Sequence, residues 1–149
     1  MKIMAVDFGE SRTGLAMCDR TEFLASPLGV IEEKGLAAIV EKIVYAARSY
    51  EAQHIVVGLP RNMDGSEGAR ASRCRRVANM LSNILTDIPV EMWDERVTTV
   101  QAARNLDEAG MHGKKRKQVI DAEAATIILD SYLRYRHNQS DNSLMEDKV

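Results

Sequence analysis

Several residue types are scarce in this chain, and each scarcity excludes a class of protein. Cysteine occurs twice in 149 residues, as Cys18 and Cys74. The two form no CxxC pair and no metal-like spacing, so neither a disulfide scaffold nor a zinc site is expected. Reduced thiols in a cytoplasmic protein are the simplest account. Aromatic residues make up 5%, too few for base stacking to dominate recognition of a nucleic-acid strand. No apolar run approaches the roughly 18 residues of a membrane span. The apolar start is cut by Asp7, short of the about 7–15 apolar residues of a secretory leader, so none is expected. Neither charge sign is in large excess: 20 basic against 22 acidic residues leave −2, which by itself gives no support to nucleic-acid binding. His54, His112 and His137 lie in unrelated settings with no spacing such as HxxxH. Ser66 and Cys74 carry no nucleophile signature. No repeat or low-complexity block is present.

What remains is an ordinary globular composition, 45% hydrophobic and 28% charged. The length suits one domain able to bury a core without staples. The chain divides into a domain over 1–136 and a polar segment, 137–149, which lacks helical periodicity and is expected to be a mobile tail. Short apolar runs at 2–8 and 14–19, joined by a Gly-containing turn, predict a β-hairpin. A third strand is predicted at 25–31, with Pro27 at an edge or a strand start. From 35 to 49 the period becomes helical, with Leu36, Ile39, Val40, Ile43, Val44 and Ala47 on one stripe. A buried strand, compatible with a parallel sheet, is predicted at 54–58, a helix at 67–85 and a fifth strand at 90–93. Thr98 or Thr99 can cap a helix that Gly110 stops near Ala109. Residues 111–118 read as basic and irregular, and 119–135 as the last helix. Strands first, then alternating helices and strands, predict an α/β sandwich with a mixed sheet.

Acidic residues interrupt three of the apolar runs. Asp7 ends the first strand, Asp94 and Glu95 end the fifth, and Asp121 starts the last helix. Acids among apolar residues are costly unless paired or bound to a cation. Sites in α/β folds gather at strand ends. If Asp7, Glu95 and Asp121 meet, Mg²⁺ or Mn²⁺ would relieve their repulsion, because hard cations prefer oxygen ligands. Two such ions can stabilise the attacking and leaving oxygens of a phosphoryl displacement. Each acid also has a plainer reading: Asp7 as a turn cap, Glu95 as the surface ion-pair partner of Arg96, Asp121 as a first-turn acid complementing the helix dipole.

In DFGESRTGLA, Gly9 and Gly14 permit a tight hairpin, and Arg12 at its tip could grip a phosphate. An exposed Arg on a simple hairpin is the plain alternative, and ATPases of the actin type carry a similar pattern. VGLPRNMDGSEG reads as a flexible, Gly-containing loop after the fourth strand, either facing substrate or merely connecting. It is not a Walker A loop. Positive charge gathers in two places. Residues 61–76 hold five arginines against two acids, and Lys114, Lys115, Arg116 and Lys117 follow one another just before Asp121. Such patches can be solvated surface. They can also neutralise backbone phosphates, which favours reading of backbone and shape.

With DFGESRTGLA, VGLPRNMDGSEG, DERVTT and DAEAATIILDSYL in this order and spacing, residues 2–136 resemble the YqgF/RuvX-type proteins. These are Holliday junction resolvases also assigned to pre-16S ribosomal RNA processing. The resemblance implies an RNase H-like fold, a five-stranded mixed sheet with helices on its faces. It implies that Asp7, Glu95 and Asp121 are metal-binding catalytic acids, and that Arg12, Thr98 and Thr99 are substrate-site residues. The Lys114, Lys115 and Arg116 stretch is expected to hold the substrate backbone. Together these readings predict a two-metal nuclease acting on structured nucleic acid in the cytoplasm, as a monomer or homodimer. The favoured substrate is the 5′ end of pre-16S rRNA, with pre-ribosomal particles as partners. The alternatives are resolution of branched DNA, a nucleic-acid-binding assembly factor without catalysis, and an ATP-binding protein.

Overall fold

A computed structural model of the chain describes residues 1–97 and 114–147. Five strands form one sheet: β1 (Ile3–Asp7), β2 (Arg12–Cys18), β3 (Ala25–Glu32), β4 (His54–Leu59) and β5 (Val90–Asp94). Their order is β3-β2-β1-β4-β5. The hairpin pairs β1, β2 and β3 antiparallel, and β4 then joins β1 in parallel, with β5 parallel to β4. This is the expected mixed sheet. Pro27 sits on the outermost strand, where the register shifts opposite Leu15 and Ala16, so its missing N–H breaks no central ladder.

Alternation along the strands divides the core. Met4, Val6, Leu15, Met17, Ile55 and Val57 point to one face, which α1 (Leu36–Ser49) and α2 (Ala69–Ile84) cover with Ile39, Val40, Ile43, Val77 and Leu81. Ile3, Ala5, Ala16, Cys18 and Val56 point to the other. There Ala124, Ala125, Ile128, Leu129, Tyr132 and Leu133 of α3 (Lys114–Asp147) lie against them. β1 is buried on both faces, so it reads as an unbroken apolar run rather than an alternating one. Both cysteines are buried, and burial pushes the Cys18 thiol above its ordinary value.

Gly58, predicted both as the last residue of the fourth strand and as the first glycine of the loop after it, lies within β4, which continues to Leu59. The stretch from Lys114, read as irregular, is already helical, and the same helix continues through the polar segment to Asp147. From 114 to 147 the sequence holds no proline or glycine. An established helix can therefore propagate through polar residues that show no apolar stripe. The helix expected between Thr98 and Ala109 falls outside the described residues.

α3 runs against the direction of β4 and β5. Near its middle Tyr132 donates to Glu91 Oε2 at 2.8 Å and lies 3.3 Å from His54 Nε2, at the starts of those strands. One turn earlier Ile128 lies over Gly58, close to the end of β4. Further toward its N-terminus α3 therefore passes the C-terminal ends of β1, β4 and β5. Beyond Tyr132, Arg136 donates to Glu22 Oε1 at 2.6 Å, and the N-terminal ammonium stands 3.1 Å from the same carboxylate, fastening the C-terminal half of the helix to the β2–β3 hairpin.

Candidate active site

The last residue of β1 is Asp7, and its parity with Ile3 and Ala5 puts it on the face that α3 covers. Its partner across β2 is Gly14. One register step beyond the Val6–Val57 pair, its neighbour on β4 is Gly58. The carboxylate thus stands in a row of the sheet where neither adjacent strand carries a side chain. Gly58 has a second duty, because a Cβ there would lie 2.8 Å from Glu95 Oε1 and 2.7 Å from Ile128 Cδ1. Glu95 follows β5 directly, in a short 3-10 turn of residues Glu95–Val97, and its side chain folds inward over Gly58. Asp7 is 3% exposed and Glu95 2%; with Thr13 they are the buried polar residues among the described part of the chain.

The surface ion-pair reading of Glu95 does not hold. Arg96 turns the other way and grips Asp94, with Nη2 2.7 Å from Oδ2 and its backbone N–H donating to Oδ1 at 2.8 Å. Asp94 also receives Arg61, whose Nη1 stands 3.4 Å from Oδ2. The Arg96 side-chain hydrogen bond, the first cause, holds the Asp94 carboxyl below the usual aspartate range. Arg61 further reaches Glu67 at 3.3 Å, and Arg96 Nη1 reaches the Met63 carbonyl at 3.5 Å. Two arginines on one carboxylate thereby tie the 60–68 loop to the end of β5, beside Glu95.

The hairpin is closed by a near contact of main chains: a Cβ on Gly9 would lie 2.2 Å from the Arg12 carbonyl oxygen. Thr13 Oγ1 donates to the Gly9 carbonyl at 3.2 Å from within the same turn. Arg12 opens β2 opposite Glu32, on the same side of the strand as Gly14 by alternation. Asp121 lies about two turns inside α3 rather than at its start. It is too far in to complement the helix dipole. Lys114, Lys115 and Arg116 form the first turn of α3, which contains no acid. Thr98 and Thr99 fall outside the described residues. Asp7 and Glu95 are therefore brought to one end of the sheet, and the helix that carries Asp121 runs across that end.

One charge near the acids was not foreseen. Arg70 Nη2 is 3.7 Å from Asp7 Oδ1, so protein countercharge stands beside the acids. The arginine was visible only as one of a basic cluster. Its place above β1 depends on how α2 packs.

The strand order, the mixed pairing and the helices on both faces define an RNase H-like α/β protein. The chain matches the RuvX family, described as Holliday junction resolvase, over residues 1–135, and it belongs to that family. A relative from Pelotomaculum thermopropionicum, named "Putative pre-16S rRNA nuclease", is 47% identical over 134 residues, 89% of this chain and 86% of the relative. One of the same name from Halothermothrix orenii is 44% identical over 137 residues, 92% and 97%. Among solved structures, Thermus thermophilus RuvC in complex with a Holliday junction superposes with a TM-score of 0.59 at 14% identity, covering 93% of this chain and 96% of RuvC. The yeast mitochondrial Holliday junction resolvase gives 0.61 at 9% identity, covering 99% and 84%. At these identities the structural likeness concerns the fold.

Proposed function

We propose that this protein is a divalent-metal-dependent nuclease acting on structured nucleic acid, with the 5′ end of pre-16S rRNA as its substrate. The observation that carries the reading is the burial of Asp7 and Glu95 at one end of the sheet, beside Gly58, beneath the helix that bears Asp121. Carboxylate oxygens buried together are the donors that hard cations prefer, so the residues fit Mg²⁺ or Mn²⁺. Asp7, Glu95 and Asp121 are the proposed ligands. Bound there, the ion supplies the positive charge that activates water and offsets the charge developing on the leaving 3′-oxygen.

The chain's own contribution is placement. Asp7 is held by the ladders of β2 and β4, and Glu95 by the turn that Asp94 and Arg96 lock. Arg12 and the first turn of α3 are proposed to grip the backbone on either side of the cut bond. Four consecutive cations at a helix N-terminus oppose its dipole. Phosphates drawn to that end would offset the repulsion. The reaction adds water across the phosphodiester and breaks the P–O3′ bond.

The relatives' name favours RNA. The family's description supports a second reading, resolution of four-way DNA junctions. Tag-free protein incubated with Mn²⁺ and either a pre-16S leader RNA or a four-way junction separates the two. Asp7→Asn and Asp121→Asn should each abolish cutting of the true substrate while retaining its binding. Undiminished cutting by either variant would refute the assignment of that acid.

A further inference from the structure

Arg70 is the second residue of α2, and the reading above gives it no task. Its Nη2 donates to the Phe8 carbonyl oxygen at 3.3 Å and stands 3.7 Å from Asp7 Oδ1. The first contact is a long hydrogen bond, and the second is an ion pair with no hydrogen bond in it. Asp7 is buried, whereas the Arg70 side chain is 45% exposed. Other arginines of the same helix behave differently. Arg75 donates twice to Glu67, at 2.6 and 2.8 Å, and Arg73 is hydrogen-bonded to Glu10. An arginine with a purely structural duty would be expected to close on its carboxylate in that forked manner. Arg70 stops short of it. A guanidinium carries five N–H donors, and among the described residues the Phe8 oxygen is its one acceptor at hydrogen-bond distance.

We propose that Arg70 is a phosphate-contact residue that exchanges one anion for another: Asp7 in the metal-free protein, and a backbone phosphate of the nucleic acid once a divalent ion lies against Asp7. The proposal rests on the nuclease reading and assigns a residue to its substrate side. Before loading, the guanidinium offsets part of the negative charge buried at the end of β1. An ion of charge +2 at Asp7 repels a guanidinium a few ångströms away. Leaving costs Arg70 one long hydrogen bond, and its exposure lets the side chain swing outward. The planar fork then meets two oxygens of a phosphate, a geometry that a point charge cannot match. Metal binding and strand binding are thereby coupled, each favouring the other.

Two variants and two readouts test this. Calorimetry with Mn²⁺ alone, without nucleic acid, should show Arg70→Gln binding the ion about three- to tenfold more tightly than wild type, because a partly screened competing cation is gone. Its KM for the cleaved RNA or junction should rise about tenfold or more, through loss of a charge-assisted forked contact. Arg70→Lys should leave Mn²⁺ affinity within about twofold of wild type and still raise KM, because it keeps the charge and lacks the fork. Arg70→Lys should melt like wild type, and Arg70→Gln, which leaves the Asp7 charge less compensated, should melt slightly lower while staying folded at the assay temperature. Unchanged Mn²⁺ affinity or unchanged KM in Arg70→Gln overturns the proposal, as does a wild-type KM in Arg70→Lys. Failure of the nuclease reading would look different: the wild type itself would then cut neither the RNA nor the junction in Mn²⁺.

Discussion

At Asp7 and Glu95, function and stability are expected to pull in opposite directions. Both carboxylates are buried, and a buried charge is a cost unless it is compensated. Asp7→Asn and Glu95→Gln keep the shape and remove the charge. Each should lower Mn²⁺-dependent cleavage by more than the roughly 10–100-fold that loss of an outer partner of a metal site produces. In metal-free buffer the same variants should melt no lower than wild type, and Mn²⁺ should raise the melting temperature of wild type more than theirs. A variant that lost activity only by unfolding would show a depressed melt instead. Asp94 differs from its neighbour Glu95, since Arg96 and Arg61 hold it and its side chain is spent on the loop. Two adjacent acids that look equivalent in the sequence thus have separate duties, set by the turn that follows β5.

Between elements, the closest fit is that of β4 beneath α3. A methyl group added at Gly58 meets Ile128 Cδ1 and Glu95 Oε1 at distances real Cβ atoms do not adopt. Gly58→Ala should cost about 1–3 kcal/mol in a urea titration, as overpacking does. Adding Ile128→Val, which removes the clashing methyl, should recover part of that loss, so the double variant is less destabilised than the sum of the two. Cleavage should stay impaired in the double variant, because Glu95 is still displaced. The C-terminal half of α3 gives a pH prediction. The Arg136 hydrogen bond, ahead of burial, which opposes it, and the N-terminal ammonium, holds the Glu22 carboxyl below its ordinary value. A depressed carboxyl contributes stability that is present above its unfolded value, about 4.3, and is lost as pH falls through the folded value. Arg136→Gln should therefore lower stability at neutral pH and flatten its decline below about pH 4.3, measured by urea midpoints across that range.

Over the whole molecule, a net charge of −2 must coexist with attraction to a polyanion. A polar distribution of charge resolves this, because binding responds to the local face rather than to the sum. With Asp7→Asn used to prevent cutting, affinity for the nucleic acid should fall steeply as salt rises. Replacing Lys114, Lys115 and Arg116 by glutamine should reduce the slope of log affinity against log salt by about 2–3, if each neutralises one phosphate. An unchanged slope would place the phosphate contacts elsewhere.

Much of this architecture was legible in the chain itself. Apolar runs and helical stripes report which faces are removed from water, and that demand is local. The five strands, the first two helices and the edge position of Pro27 could be read for this reason, as could the acids that break apolar runs. The extent of α3 was not legible, since its two ends are polar and helix propagation leaves no apolar stripe to read. Nor was the duty of Gly58, whose place at the end of the fourth strand could be read but whose closeness to Glu95 and Ile128 could not. The same holds for Arg70, one arginine among several until the start of α2 brings it within reach of the end of β1. Proximity between residues dozens of positions apart is made by the order of strands and the direction of α3. Tertiary packing alone decided which charges at the end of the sheet face one another.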